Sequence, residues 1–249
     1  MWQKIIFAAL FGCVLTGCSS FYSAFRAEPM PVTGFLPNHE LLVRQPDTFP
    51  FHYFYLRRVH RQYRNIYVAT VDMSLLRKST GWEEFNRAVA GHLGQDIEGL
   101  GKYMRETFIG ELKKVSSINK LNVTDDPRQP ETLVLATAVT AIIPTKAELN
   151  YLGVAAGLVV PGAGLVTGYF ASGAIAVEAK LYDARTGEIL MMYADTESDQ
   201  RALLNLAGFT WYSSAKLNIQ SVAKETANVL SRRDLSTLER DFPFRFVAY

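Results

Sequence analysis

The sequence predicts an α+β fold, a mixed or antiparallel sheet of about five strands with two amphipathic helices on one face. Two observations support it. Strand-like alternation of apolar residues recurs in several short segments, and two longer segments repeat their apolar residues every three or four positions. Helices with a single apolar stripe need one covering surface, and one face of a sheet provides it. A Gly-rich apolar insertion at 149–173 interrupts this domain.

The predicted strands occupy segments 63–73, 117–126, 131–145, 175–181 and 189–194. In the fourth, Ile175, Val177 and Ala179 alternate with Glu178 and Lys180, which is typical of a strand with one solvated face. A hairpin turn follows this strand, and Gly187 suits a positive φ angle in it.

Two segments carry the predicted helices. One apolar stripe in the first contains Leu93, Ile97, Leu100, Met104, Phe108, Leu112 and Val115. In the second, 213–233, we expect the following residues to face the core: Leu217, Val222, Thr226, Val229 and Leu230. Ser213 or Ser214 is available as its N-cap.

The N-terminus has the layout of a secretory signal peptide. Lys4 precedes an uncharged, mostly apolar run at 5–15 that is too short to span a bilayer permanently. The motif "LTGC", ending at Cys18, is similar to a bacterial lipobox, so we expect cleavage after Gly17 and acylation of Cys18, for example by palmitate. An ordinary signal peptide that happens to end in cysteine is the alternative.

Acylation would attach the protein to a membrane through its N-terminus, since each buried methylene contributes about 0.8 kcal/mol. In lipoproteins, Asp after the acylated cysteine favours the inner membrane. Ser19 therefore predicts an outer-membrane, periplasm-facing location in the cell envelope.

Four parts make up the predicted organisation. They are a cleaved signal peptide (1–17), a tether and surface-packed arm (18–62), a single α+β domain (63–233) and a C-terminal extension (234–249). Five prolines between 29 and 50 argue against a regular helix or central strand in the arm. We expect an aromatic cluster to pack the arm onto the domain, with a ligand-stacking platform as the alternative: Phe49, Phe51, Tyr53, Phe54 and Tyr55.

The insertion is long enough to cross a membrane, because about 20 apolar residues suffice. No charged residue occurs from 149 to 177, and Gly164 and Gly168 form a GxxxG pair. Its glycines dilute the hydrophobicity, however, and Pro161 divides it. We therefore expect Gly157, Pro161, Gly164 and Gly168 to pack on the domain or between subunits, with dipping into the membrane or spanning it as alternatives.

The sequence predicts no enzyme, metal or cofactor. A net charge of +2 does not favour nucleic acid as a partner, and no nucleophile elbow or phosphate-binding loop occurs. After cleavage and acylation neither Cys13 nor Cys18 remains as a free thiol, which excludes disulfides and thiol chemistry.

The remaining polar residues predict no site either. The four histidines have no metal-binding spacing, so we expect surface or packing roles for His39, His52, His60 and His92. Asp195, Glu197 and Asp199 alternate at a strand end, where solvated carboxylates are more usual than a Ca²⁺ site.

Several motifs of the chain resemble those of known protein families. The lipobox, "TGFLPNHELL", "YRNIYVATVDM" and the Gly-rich segment leading into "GAIAVEAKLYDARTGEIL" are similar to an uncharacterised family of bacterial lipoproteins, a domain of unknown function. The hairpin "LYDARTGEIL" also resembles curli-secretion-channel lipoproteins and TolB-like N-terminal domains. These resemblances imply the same strand and helix layer and no enzymatic activity.

The functional expectation is a non-catalytic outer-membrane lipoprotein whose periplasmic α+β domain binds or scaffolds, and which self-associates or meets an envelope protein. The alternative is an oligomeric secretion or transport component in which the Gly-rich segment contacts the membrane.

Overall fold

The computed structural model describes residues 26–27, 29–57, 63–77, 93–143, 174–198, 211–232, 235 and 238. The predicted signal peptide and Cys18 lie outside the described residues, and so do Gly157, Pro161, Gly164 and Gly168. What is described is a mixed sheet with helices, so the predicted α+β class is confirmed.

The sheet contains β1 (Val43–Arg44), β2 (Tyr53–Leu56), β3 (Asn65–Val68), β4 (Asn122–Val123), β5 (Thr132–Ile143), β6 (Ala174–Asp183) and β7 (Ile189–Ser198). The helices are α1 (Ser74–Arg77), α2 (Leu93–Asn119) and α3 (Trp211–Ser231), with a 3₁₀-helix at His39–Leu41. The spatial order of the strands is β1-β2-β7-β6-β5-β3-β4. Strand β3 runs parallel to β4 and β5, and the other neighbours are antiparallel.

The predicted count of about five strands was too low, since the described part of the chain forms seven. The two additional strands, β1 and β2, come from the segment predicted as an arm. Strand β2 pairs with β7, with Phe54 opposite Tyr193, so its partner is far away in the sequence. Pro46 and Pro50 lie in the connection between β1 and β2, where their missing N–H groups break no ladder.

One face of the sheet, the helix face, is covered by α2 and α3. The predicted stripe of α2 is confirmed over its described length, because Ile97, Leu100, Met104, Phe108 and Leu112 are buried. Helix α3 contributes Ile219, Val222 and Ala223 to the same core. The sheet contributes alternate residues of its long strands: Leu133, Leu135, Val139, Ile175, Val177, Ala179, Leu181, Met191 and Tyr193. Both long helices therefore lie on one face, as their apolar stripes predict.

The start of α3 differs from the prediction. The helix begins at Trp211, so Ser213 and Ser214 lie within it and neither is the N-cap. The buried stripe also shifts: Leu217 is only half-buried, while Asn218 and Ile219 are buried.

The opposite face, the arm face, is covered by residues 29–42. Leu36 packs there against Met192 and Ala194 of β7, with Phe35 and Tyr55 at the border. The expectation that β6 has one solvated face is wrong for Glu178, which is only 2% exposed. The arm lies over this carboxylate and excludes solvent from it.

Two glycines are required by the backbone. Gly187 has φ +72°, and its N–H donates to the Asp183 carbonyl at 2.9 Å, which confirms the predicted β6–β7 turn. Gly101 lets α2 approach the chain before α1, because a Cβ there would lie 3.2 Å from Met73 Cγ. Within the described residues, no helix combines the length and hydropathy needed to cross a bilayer.

Candidate functional site

The most highly connected polar group of the described chain, which we term the arm clamp, consists of Arg26, His52 and Asp195. Arg26 Nη2 donates to Asp195 Oδ1 at 3.1 Å and to the Pro50 carbonyl at 3.2 Å. Its Nη1 donates to the Phe49 carbonyl at 3.0 Å and to the Asp47 carbonyl at 3.2 Å. The side chains of Arg26 and Asp195 are 4% and 0% exposed. A guanidinium that is this well bonded and buried fixes the start of the arm on the domain.

His52 completes the clamp. Its Nδ1 bonds Asp195 Oδ1 at 2.5 Å, and its backbone N–H donates to the same oxygen at 3.2 Å. The Ala27 carbonyl, which can only accept, receives a hydrogen bond from Nε2 at 2.9 Å. Both ring nitrogens are engaged with fixed protein partners, so His52 has a packing role and is not placed as a general base.

A group of three buried carboxylates adjoins the clamp. Asp195, Glu197 and Glu225 each bring one oxygen within 4.8 Å of the others. Asp195 and Glu197 do share a face, as predicted, but the expected solvated strand end is wrong, because they are 3% and 0% exposed. The Arg26 guanidinium already provides a positive charge against Asp195. Arg26 and Asp195 therefore form a buried ion pair that joins the arm to β7.

A second attachment, the arm latch, holds the middle of the arm on β6. Thr33 donates to Glu178 through its backbone N–H at 2.5 Å and through its hydroxyl at 2.9 Å. Lys180 Nζ donates to the Phe35 carbonyl at 3.0 Å and lies 4.2 Å from the centre of the Phe35 ring.

Burial shifts both ionisable groups of the latch toward their neutral forms. Burial raises the pKa of Glu178, against the opposing effects of the Thr33 donors and of the neighbouring His39 and Lys180 side chains. Burial likewise lowers the pKa of Lys180, opposed by the charges of Asp72 and Glu178.

The aromatic cluster packs the hairpin of β1 and β2 onto the domain. Phe51 stacks on Tyr193 with ring centroids 3.9 Å apart and planes within 4°. Phe49 contacts Phe54 at 5.1 Å. Tyr193 is fully buried, its hydroxyl lies 2.8 Å from Thr226 Oγ1, and burial raises its pKa. Phe51 is also fully buried. The predicted packing role is confirmed for Phe51, and the stacked rings of Phe51 and Tyr193 offer no open face on which a ligand could stack.

An open cleft of about 710 Å³ lies at the opposite end of the sheet, between the 127–132 loop and the turn after β6. Asp183 is its most strongly perturbed acid. Burial raises its pKa, but hydrogen bonds from the backbone of Thr186 and Arg185 and from the Tyr63 hydroxyl outweigh this and lower it to about 2. This carboxylate organises the turn, since its Oδ1 accepts both backbone N–H groups.

The structure gives no placement for the predicted lipidation site at Cys18 or for the Gly-rich contact residues, which lie outside the described part of the chain. Sequence reasoning missed Arg26 and Glu178 as attachment residues. A single arginine in a proline-rich segment has no periodic pattern to mark it. The only available signal was the presence of two acidic residues, Asp195 and Glu197, in a strand that begins with a mostly apolar run at 189–194.

Residues 33–226 match the model of a protein family described as "Protein of unknown function (DUF3313)". The chain belongs to this family. The matched range begins at Thr33 in the arm latch and ends at Thr226 on α3, so it includes residues from both faces of the sheet. Arg26 lies before the matched range. The expected membership of an uncharacterised family is thus confirmed. The lipoprotein nature and the likeness to curli-secretion-channel and TolB-like proteins stay predictions.

This DUF3313 chain is also similar to solved structures. One is a PelC dodecamer from Paraburkholderia phytofirmans, with 11% identity and a TM-score of 0.37 over 69% of this chain and 95% of that chain. Another is the hypothetical protein CT253 from Chlamydia trachomatis, with 12% identity and a TM-score of 0.29 over 68% and 96%. TM-scores this low carry no argument about assembly or function here. No curated protein matches the chain.

Proposed function

We propose that this protein is a non-catalytic outer-membrane lipoprotein whose periplasmic α+β domain binds or scaffolds at the membrane surface. One observation carries the proposal: the arm clamp begins at Arg26, eight residues after the lipobox cysteine. At this position, the buried ion pair of Arg26 and Asp195 connects an N-terminal anchor directly to the central sheet.

The hydrogen bonds of the described polar groups support structural rather than catalytic roles for them. His52 is engaged at both ring nitrogens, and Asp195 accepts from Arg26 and His52. Asp183 is engaged in a turn. Each of these groups orders the backbone near it.

Lipid attachment is tested by mass spectrometry of the N-terminal peptide from protein extracted from membranes. We expect a diacylglyceryl-modified, N-acylated Cys18 as the first residue, and an unprocessed precursor from Cys18→Ala. An unmodified cysteine, or a mature chain that still begins at Met1, would overturn the proposal.

A second candidate, an oligomeric secretion or transport component, is favoured by one observation at the sheet edge. Val43 in the edge strand β1 is 60% exposed, Leu41 at the end of the preceding 3₁₀-helix is 44% exposed, and Leu56 at the end of β2 is 46% exposed. Exposed apolar residues at an unpaired edge are a usual site of self-association. Native mass spectrometry of the detergent-extracted protein distinguishes the two: a closed ring that Val43→Lys dissociates supports this second function, and a monomer excludes it.

A further inference from the structure

A groove of about 620 Å³ lies between α2 and the segment 67–74, away from the arm clamp and the arm latch. The buried side chains of Val71 and Met73 line its apolar part. Gly101 of α2 also lines it, and a Cβ at this position would lie 3.2 Å from Met73 Cγ. The groove is therefore a recess between two closely packed elements, and its volume is usual for a small-molecule site.

Two positively charged side chains line the groove from α2. Lys102 and Arg105 lie three positions apart on this helix. Residues with this spacing share one helix face, with about 5–6 Å between their Cβ atoms, so one small ligand can reach both. The exposed Lys102 side chain has neither an ion pair nor a hydrogen bond within the described chain. Neighbouring cations repel each other, and an anion bound between them would relieve that repulsion.

Arg105 is held in position at the groove. Its Nε donates to the Val68 carbonyl at 2.9 Å, and its guanidinium carbon lies 5.8 Å from the centre of the Tyr67 ring. The Nη2 atom lies 3.9 Å from Asp125 Oδ1, and the Asp125 side chain is 96% exposed. An ion pair this long and this solvated contributes little, so a ligand can replace it. Because Nε is already bonded, the guanidinium loses little freedom when it binds an anion.

The other polar residues of the groove also suit an anion. Glu98 is the one acidic residue among the described residues that line it, so the two cations outnumber the acids there. Thr70 and Ser74 bring hydroxyl groups to the same groove, and a hydroxyl can donate to an anionic oxygen. The lining thus combines a net positive charge with neutral donors and an apolar part.

We propose that this groove is a binding site for a small organic anion. The carboxylate or phosphate group of the ligand accepts hydrogen bonds from Lys102 and Arg105, since charge-assisted bonds of this kind are the strong ones. The apolar part of the ligand lies against Val71 and Met73. The site does not depend on the proposed lipid attachment, so each can fail without the other.

The experiment follows amide signals of the ¹⁵N-labelled full-length protein by NMR during titration with three probes. Phenylacetate and phenyl phosphate are anions, and phenylacetamide is a neutral molecule with the same ring. We expect saturable shifts in residues 67–74 and 98–105 from at least one anion, and the anion that binds more tightly identifies the charged group of the ligand. The absence of saturable shifts with both anions, or equally tight binding of phenylacetamide, would overturn the proposal.

Lys102→Gln removes one of the two cations and should weaken anion binding about tenfold, which corresponds to about 1.4 kcal/mol. Lys113→Gln is the matched control, because Lys113 is an exposed lysine on the same helix, about 16 Å further along its axis. It should leave the affinity unchanged. Both residues are exposed, so the thermal unfolding midpoint should stay the same in both variants. An equal loss of affinity in the two variants, or no loss in Lys102→Gln, would show that the anion does not bind at this groove.

Discussion

The two faces of the central sheet are stabilised in different ways. The helix face buries a continuous apolar core that includes Phe108, Leu135 and Tyr193. The arm face has only a small apolar cluster around Leu36, supplemented by hydrogen bonds from Thr33 to Glu178 and from the Met30 backbone N–H to Thr196. Apolar burial scales with area, whereas polar attachments depend on a few exact partners. The helix face therefore maintains the fold, whereas the arm is held over the opposite face by fewer and more specific contacts.

The largest effect is expected on the helix face. Phe108→Ala removes a fully buried ring and leaves a cavity, so the free energy of unfolding should fall by about 4 kcal/mol. Urea denaturation followed by circular dichroism measures it. Ile118→Ala, 66% exposed on the same helix, is the control and should change it by less than about 0.5 kcal/mol. Equal effects would mean that the helix face is not the main core.

Arg26→Ala tests whether the arm opens independently. It leaves a buried carboxylate without its guanidinium, which should weaken arm attachment by about 3 kcal/mol. Hydrogen exchange should accelerate in residues 29–57 and stay slow in α2. The control, Arg64→Ala, removes a surface pair with Glu131 in which Arg64 is 73% exposed, and should have an effect below about 1 kcal/mol. Equal acceleration in α2 would show that the two faces unfold together.

Leu36→Ala tests the apolar part of the arm face. Leu36 is 1% exposed, and its truncation should lower the free energy of arm opening by about 2 kcal/mol. Limited proteolysis of the arm detects this change. Leu41→Ala, 44% exposed in the same arm, should leave the cleavage rate unchanged. If Leu36→Ala, like Leu41→Ala, leaves the cleavage rate unchanged, the stability of the arm comes from its polar attachments alone.

The smallest effect is expected at the arm latch. Because burial raises the pKa of Glu178, the folded state holds its proton more tightly than the unfolded state. The protonated Glu178 side chain therefore stabilises the folded arm below the pKa of the unfolded state, about 4.3. This stabilisation is lost as the pH rises through the higher pKa of the folded state. Glu178→Gln should remove this pH dependence and change stability at pH 7 by under about 1 kcal/mol. Arm exchange rates between pH 4 and 8 measure it.

The exposed Glu40→Gln is the control for this last change and should keep the original pH profile. A profile unchanged by Glu178→Gln would mean that the arm's pH response arises at another group.

The helix face could be predicted from the sequence because its signals are local. The three- and four-residue spacing from Ile97 to Leu112 defines a buried stripe whatever lies opposite, and Gly187 marks a turn within its own hairpin. The arm face could not be predicted, because its signals are long-range. Strand β2 is only four residues long and is specified by β7, and Glu178 resembles a solvated residue until the arm covers it. The alternation of polar and apolar residues along a strand indicates which face is polar, but it does not indicate which distant segment of the chain covers that face.

The separation of the clamp residues has a consequence for synthesis. Arg26 and Asp195 are 169 positions apart, so their ion pair closes a loop that spans most of the chain. It cannot form before residue 195 has been made, and until then the N-terminal segment has no partner on β7 to hold it.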